Sequence, residues 1–319
     1  VRTRLPEELY STSYIADRAL DFLDCQAQSH PEDPFLLVVS FPDPHHPFNP
    51  PGRYWNMYNP DDVTIPTNFA ASDTGVPHLA AARRARNAQS DDRNGYGAVT
   101  LDEREAREAI ALTYGMITMI DDAIGRVQMR LSELGLGNQT LQIFTSDHGD
   151  LLGDHGLMLK GPLHYQSLIR VPFIVSDPAR KGVGKTESGL FSSLDIGTSL
   201  LSRAGLTDLP GSQGVCLFDV LDNKRETRKS LMIEDEYQSA VLDFKTPPAV
   251  RTLVTPKWRI TVFDDADWGE LYDLENDPDE CENLWHDQST LKIRLHLVEE
   301  LSRTMMKSID RQVPPVSLA

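Results

Sequence analysis

The chain is poor in cysteine. Three of its 319 residues, Cys25, Cys216 and Cys281, are cysteines, and they lie far apart. None forms a C-x-x-C pair, so neither a zinc site nor a disulfide framework is suggested. That usage is compatible with a reducing compartment. Long hydrophobic runs are absent too. No apolar stretch approaches the roughly 18 residues needed to span a bilayer, and no transmembrane segment is expected. The opening Val1-Arg2-Thr3-Arg4-Leu5-Pro6 does not form a signal peptide. A soluble protein of the cytoplasm or periplasm is therefore expected, with nothing to choose between them. Positive charge is in deficit: 31 Lys and Arg stand against 48 Asp and Glu, a formal net charge of −17. A nucleic-acid binder needs a basic surface, so that class is excluded. The acidic surplus serves solubility and self-repulsion.

What is present fits a globular protein: 40% hydrophobic and 25% charged residues, enough for one large domain with a smaller one. Residues 12–25 read as a helix, with Ile15, Ala19, Phe22 and Leu23 at helical spacing. Phe35–Phe41 is a continuous apolar run of strand length, as for a strand buried on both faces of a parallel sheet. Residues 66–99 are polar and locally charged, with Arg83, Arg84, Arg86, Asp91, Asp92 and Arg93. They read as a surface excursion over or beside a cleft, either a flexible insertion or an active-site lid. The clearest helix spans 101–134, with Thr100 and Glu103 as its capping box. Its stripe is Ala106, Ile110, Thr113, Ile117, Ile120, Ile124, Val127, Leu131 and Leu134, and Gly135 stops it.

Further strands at 140–145 and 171–175 and a helix at 195–204 complete an α/β alternation. After residue 228 short strands at 230–233, 250–255, 259–263 and 270–274 suit an antiparallel meander, closed by a helix from about 289 to 308. The expected domains are 1–228, α/β, and 229–319, a small α+β subdomain.

Three segments bear chemistry. In Ser146-Asp147-His148-Gly149-Asp150 the carboxylate and imidazole follow a strand, where open α/β sheets place ligands. Together they can reach one divalent cation, and Gly149, Gly153 and Gly156 let the backbone turn around it. An Asp-His-Gly turn is also a common surface loop. In Asp43-Pro44-His45-His46-Pro47 a histidine can donate a proton to a departing oxygen or bond an oxyanion. A Pro-rich loop with solvated histidines is the competing reading. Lys160, beyond all three glycines, can neutralise a sulfate or phosphate oxygen, or simply be exposed.

The ordered set resembles the type I sulfatase family of the alkaline phosphatase superfamily. It comprises the Pro44-His45-His46-Pro47 loop, the long helix with Tyr114 and Ile120-Asp121-Asp122-Ala123-Ile124-Gly125, Ser146-Asp147-His148-Gly149, Gly153-Asp154-His155-Gly156, Lys160 and Arg170–Val175. Leu271-Tyr272-Asp273-Leu274 through Asp277-Pro278 and Glu282-Asn283-Leu284 match the family's closing signature. The resemblance implies an alkaline-phosphatase-like sheet sandwiched by helices and a metal-dependent sulfuric ester hydrolase acting on a small sulfated substrate. Asp147 and His148 would be ligands of a divalent cation, calcium first, magnesium or manganese otherwise. Lys160 would contact the sulfate and His45 the leaving-group oxygen. His46 and His164 are further substrate-binding candidates. His155 should order its loop, and Asp121 and Asp122 should be structural.

One departure is large. The family's nucleophile is a formylglycine made from Cys or Ser in C/S-x-P-x-R, and no cysteine or serine here heads that pattern. The expectation is a chain that lacks the nucleophile segment, with formylglycine and two carboxylates belonging before Val1. It would be inactive alone, with its missing fragment or a second copy as partner. The alternatives are a phosphonate or phosphate ester hydrolase of the same superfamily and a catalytically dead binding protein.

Overall fold

The computed structural model describes residues 2–70, 76–87, 99–180 and 184–309. Helix α1 runs Ser11–Ser29, α2 Pro77–Asn87 and, after the two-residue β1 (Val99–Thr100), α3 Glu103–Glu133. Then come β2 (Gln142–Thr145), β3 (Leu157–Met158), α4 (Gln166–Ile169), β4 (Phe173–Ser176), α5 (Leu194–Arg203) and α6 (Leu217–Leu221). Four strands, β5 (Leu231–Glu236), β6 (Ala249–Val254), β7 (Trp258–Phe263) and β8 (Gly269–Asp273), lead into α7 (Leu291–Ser308). The fold is α/β with flanking helices and a distinct C-terminal antiparallel sheet, as the pattern required.

Helix α3 shows why the long stripe holds. Its start is set by Asp102, not Thr100: the Asp102 carboxylate accepts from the Glu105 N–H at 2.8 Å, and Glu105 reaches back to the Asp102 N–H at 2.8 Å. An aspartate one residue before the helix is the better cap because its oxygen meets the third N–H of the first turn. Ala106, Ile110, Thr113, Ile120 and Leu131 are buried, while Ile117, expected beside them, is exposed. Where α3 crosses residues 52–56 its backbone comes so close that a Cβ on Gly115 would lie 2.3 Å from the Tyr54 carbonyl oxygen.

One sheet expectation fails. Among the described residues Phe35–Phe41 joins no sheet, and β2 pairs with β4 antiparallel. Leu36 and Val38 are 72% and 78% exposed, and the run lays only its alternate side chains inward, Phe35 meeting Phe22 of α1 at 5.8 Å. An all-apolar run cannot distinguish burial on two faces from burial on one.

The 66–99 segment is also corrected. Residues 71–75 and 88–98, with Asp91, Asp92 and Arg93, lie outside the described residues. Of the rest, Val76, Leu79 and Ala82 are buried in a core cluster with Leu151, Leu163, Tyr165 and Tyr272. They recur at three-residue spacing and bury one face at the start of α2, a stripe too short to stand out beside the arginines at 83, 84 and 86 that follow it.

The meander is realised in order β5-β6-β7-β8, all antiparallel. Its period of two separates the faces. Leu253, Ile260 and Leu271 point to Leu297 and Leu301 of α7. Thr252, Arg259, Thr261 and Glu270 are also fully buried. Arg259 donates from Nη1 to Glu270 Oε2 at 2.8 Å and to Thr261 Oγ1 at 2.8 Å, and from Nε to Glu280. Its guanidinium carbon lies 5.0 Å from the Tyr165 ring centre and 4.6 Å from that of Tyr272. His78 of α2 reaches Glu270 at 3.1 Å. Burial works against the Glu270 charge, but Arg259 and His78 outweigh it and hold the carboxyl down at about 2. Glu280 goes the other way: burial pushes its carboxyl up despite Arg259.

Replacing Arg259 with Met would leave two buried carboxylates without their cation. Such a loss destabilises by about 3–5 kcal/mol. Urea unfolding of the variant should show that drop, with an unchanged denaturant slope.

Candidate active site

The residues singled out in the sequence come from three stretches. The turn after Phe41 supplies His45 and His46, with the His45 N–H donating to the Pro42 carbonyl at 3.1 Å. The turn after β2 supplies Asp147 and His148. The loop leaving β3 supplies Lys160.

Lys160 Nζ lies 2.9 Å from His148 Nε2 and 3.4 Å from His45 Nε2. Each imidazole places its other nitrogen, Nδ1, 2.8 Å from a backbone carbonyl, that of Gly149 for His148 and of His46 for His45. A carbonyl can only accept, so these contacts assign the proton to Nδ1 in the neutral rings. Both Nε2 lone pairs then accept from one ammonium. His46 stacks on His45 with ring centres 4.1 Å apart. Asp147 Oδ2 is 3.4 Å from His148 Nε2. Burial opposes the Asp147 charge, but the His148 N–H at 2.8 Å, the His148 ring and the Ser146 hydroxyl outweigh it and lower its carboxyl below the usual range.

The backbone makes this convergence possible. Gly149 packs so tightly on α4 that a Cβ would sit 1.8 Å from the Ser167 carbonyl oxygen, and its N–H donates to the Leu168 carbonyl at 2.9 Å. Glycine is needed there for close approach. At Gly153, with φ of +104°, it is needed for the left-handed turn. Asp150 Oδ1 accepts from the Leu152 N–H at 3.0 Å and the Leu159 N–H at 2.9 Å, pinning the loop that ends at Lys160.

His164 is not part of the cluster. It is buried, its Nδ1 2.8 Å from Thr252 Oγ1, at the contact with the C-terminal sheet. His155 is buried against Tyr165, ring centres 4.1 Å apart. Asp122 accepts from Arg53 and Tyr54 at 2.8 and 2.7 Å. Sequence reasoning missed Asp43 and Asp150; each is a carboxylate beside a quoted motif residue, in a loop otherwise short of donors.

Among the described residues no group of three or more His, Cys, Asp or Glu side chains could hold a metal ion. That corrects the expectation of a cation, calcium or magnesium or manganese, on Asp147 and His148. The physical reason is local: the His148 nitrogen that would face a cation faces the Lys160 ammonium instead. The residues present do not fit the group, and no step is derived through it.

Comparison with known proteins decides the family. The family model described as Sulfatase matches residues 2–206, and that described as N-sulphoglucosamine sulphohydrolase, C-terminal, matches residues 153–307. The chain belongs to the sulfatase family. This match also corrects the expectation that the N-terminal part of the sulfatase domain, with its nucleophile segment and formylglycine, is absent: the sulfatase region begins at residue 2. That expectation rested on the absence of the C/S-x-P-x-R pattern and of the family's paired aspartates, a smaller body of sequence than the match over residues 2–206.

Among curated relatives, an arylsulfatase of Clostridium perfringens is 31% identical over 281 residues, 87% of this chain and 54% of that protein. The multifunctional alkaline phosphatase superfamily protein PehA of Trinickia caryophylli is 28% identical over 297 residues, 88% of this chain and 57% of its own. This sulfatase-family chain thus spans about half the length of the curated relatives it matches. In fold it resembles the phosphonate monoester hydrolase SpPMH of Silicibacter pomeroyi, with a TM-score of 0.83 at 22% identity, over 99% of this chain and 63% of that one. No helix among the described residues is long and apolar enough to cross a membrane.

The cluster also sets a pH response. Burial first, then the charges of His45 and Lys160, lower the His46 pKa, with Asp150 opposing. A histidine whose folded pKa is depressed takes up its proton more readily when unfolded, so stability is lost as pH falls below about 6.5. Melting temperatures of the wild type and His46→Gln, compared at pH 8 and pH 5, should show the wild type losing more on acidification. An equal loss would contradict this.

Proposed function

We propose that this chain forms the anion-binding and leaving-group side of a hydrolase acting on sulfate esters of small molecules. One observation supports the reading most: an ammonium shared by two imidazole Nε2 atoms, 2.9 and 3.4 Å away. An ammonium has three N–H donors. With two of them accepted by imidazoles, the third is available to a sulfate oxygen, where a fixed positive charge stabilises the negative charge of the transition state. As the sulfur–oxygen bond to the alcohol breaks, the departing oxygen needs a proton. In this reading water attacks the sulfur as that bond breaks and gives its own proton to solvent, while His45, exposed and beside Lys160, delivers the proton to the departing oxygen as an imidazolium, from the Nε2 that holds a lone pair in the neutral ring. His148, braced by Asp147, holds the ammonium in place, and His46 lines the same edge. Membership of the sulfatase family and likeness to an arylsulfatase support ester hydrolysis. We also take residues 1–228 and 229–319 as the two units of the chain, with the site in the first.

The test is hydrolysis of 4-nitrophenyl sulfate, alongside the 4-nitrophenyl ester of phenylphosphonate, with calorimetric titration of inorganic sulfate. Lys160→Ala should lower kcat/KM by roughly 10²–10³, the usual loss for one oxyanion donor. Faster turnover of the phosphonate ester would move the assignment to phosphonate esters. Sulfate binding that needs Lys160, without turnover of either ester, would leave a binding protein. Turnover and binding both indifferent to Lys160 would overturn the site.

A further inference from the structure

The His45 side chain has little to hold it. Its Nδ1 contact is to the carbonyl of His46, in its own turn, and its Nε2 contact is to the Lys160 ammonium at a long 3.4 Å. A general acid must be held within a few tenths of an ångström to be effective. Something must therefore fix the turn itself.

We propose that Asp43 is the positioning residue that anchors this turn to helix α1 and so aims His45 at Lys160. The inference rests on the hydrolase reading above for its kinetic consequence, but not for its geometry. Asp43 Oδ1 accepts from the Tyr10 hydroxyl at 3.3 Å, and Oδ2 accepts from the Thr12 hydroxyl. Thr12 is fully buried and Tyr10 nearly so, so both donors are fixed by the fold. Thr12 lies in the first turn of α1, where the helix end favours a negative charge. Tyr10, in turn, packs with Tyr54 and Met119 in a cluster that includes α3. The carboxylate thus joins the His45 turn to the α1–α3 pair. Burial pushes its carboxyl up, and the two hydroxyls oppose that rise.

Asp43 touches neither Lys160 nor His148 in any hydrogen bond among the described residues, so its effect passes through His45. That distinguishes it from a residue of the site. A misaimed acid slows reactions that need the proton most. Esters of poor leaving groups, such as alkyl sulfates, should suffer more than the nitrophenyl ester, whose alcohol leaves without help.

The experiment uses the full chain with Asp43→Asn, Asp43→Ala, Thr12→Val and Thr12→Ser. Side-chain nitrogen NMR follows the imidazoles of His45 and His148, and steady-state kinetics compares an alkyl sulfate with 4-nitrophenyl sulfate. In folded Asp43→Ala and Thr12→Val, the His45 ring signals should move toward those of a solvated histidine while His148 stays put. Turnover of the alkyl ester should fall roughly tenfold or more, with that of the nitrophenyl ester falling less. Thr12→Ser, which keeps the hydroxyl, should restore both readouts. If Asp43→Ala does not fold, Asp43→Asn and the Thr12 pair still decide. Unmoved His45 signals in a folded variant would overturn the proposal. If the wild type hydrolyses neither ester, the hydrolase reading fails alone, and the NMR comparison still judges Asp43.

Discussion

The guanidinium of Arg259 is the point on which the two parts of the chain depend. It is fully buried between the rings of Tyr165 and Tyr272 and paired to Glu270 and Glu280. Glu280 in turn accepts from the N–H of Gln166, the first residue of α4, at 2.7 Å. The next carbonyls of α4, those of Ser167 and Leu168, press on Gly149 and bond its N–H. A cation in the C-terminal sheet is therefore linked by contacts to the turn that presents Asp147 and His148. Burying charge is costly unless every partner is met, and a network of this kind penalises alternative packings more than it adds net stability.

At the other end of that path the site is defined by who accepts from whom. Two imidazoles tied at Nδ1 to backbone carbonyls must offer Nε2 to Lys160. The same arrangement explains why a cation was expected and does not fit. Aspartate followed by histidine is a ligand pair only if nothing positive stands before it, and Lys160 does. The carboxylate of Asp147 then serves the backbone N–H of His148.

Much of the fold was legible in residue periodicity. The α3 stripe, the four-strand meander and α7 follow from spacing alone, because each buries one face against a single partner. Phe35–Phe41 misled because its hydrophobicity is uniform: Leu36 and Val38 are as apolar as Phe35, yet only the latter meets α1. Helix α2 misled in the opposite way, its few buried positions followed at once by arginines. Within the candidate site, His45, Asp147, His148 and Lys160 could be singled out in advance as an ordered set of motifs, although each motif alone also reads as an ordinary surface loop. Asp43, Asp150 and the Arg259 network could not, because a carboxylate looks the same in sequence whether it is solvated or caps a turn. His164 stands four residues from Lys160 in sequence, yet the chain turns it toward Thr252.

The pairing of His45 with Lys160 spans 115 residues of chain. Contacts of such separation form late, because the entropy of closing the intervening loop must be met before they contribute. Helix α2, all of α3, β2 and β3 lie between them in the chain. A nascent chain emerging as far as α3 holds His45 but has no counterpart for it, and a collapsed intermediate with native helices would still lack the ammonium at that spot. Appearance of the His45–Lys160 contact during refolding is thus a clock for completion of the α/β unit, slower than the formation of its helices.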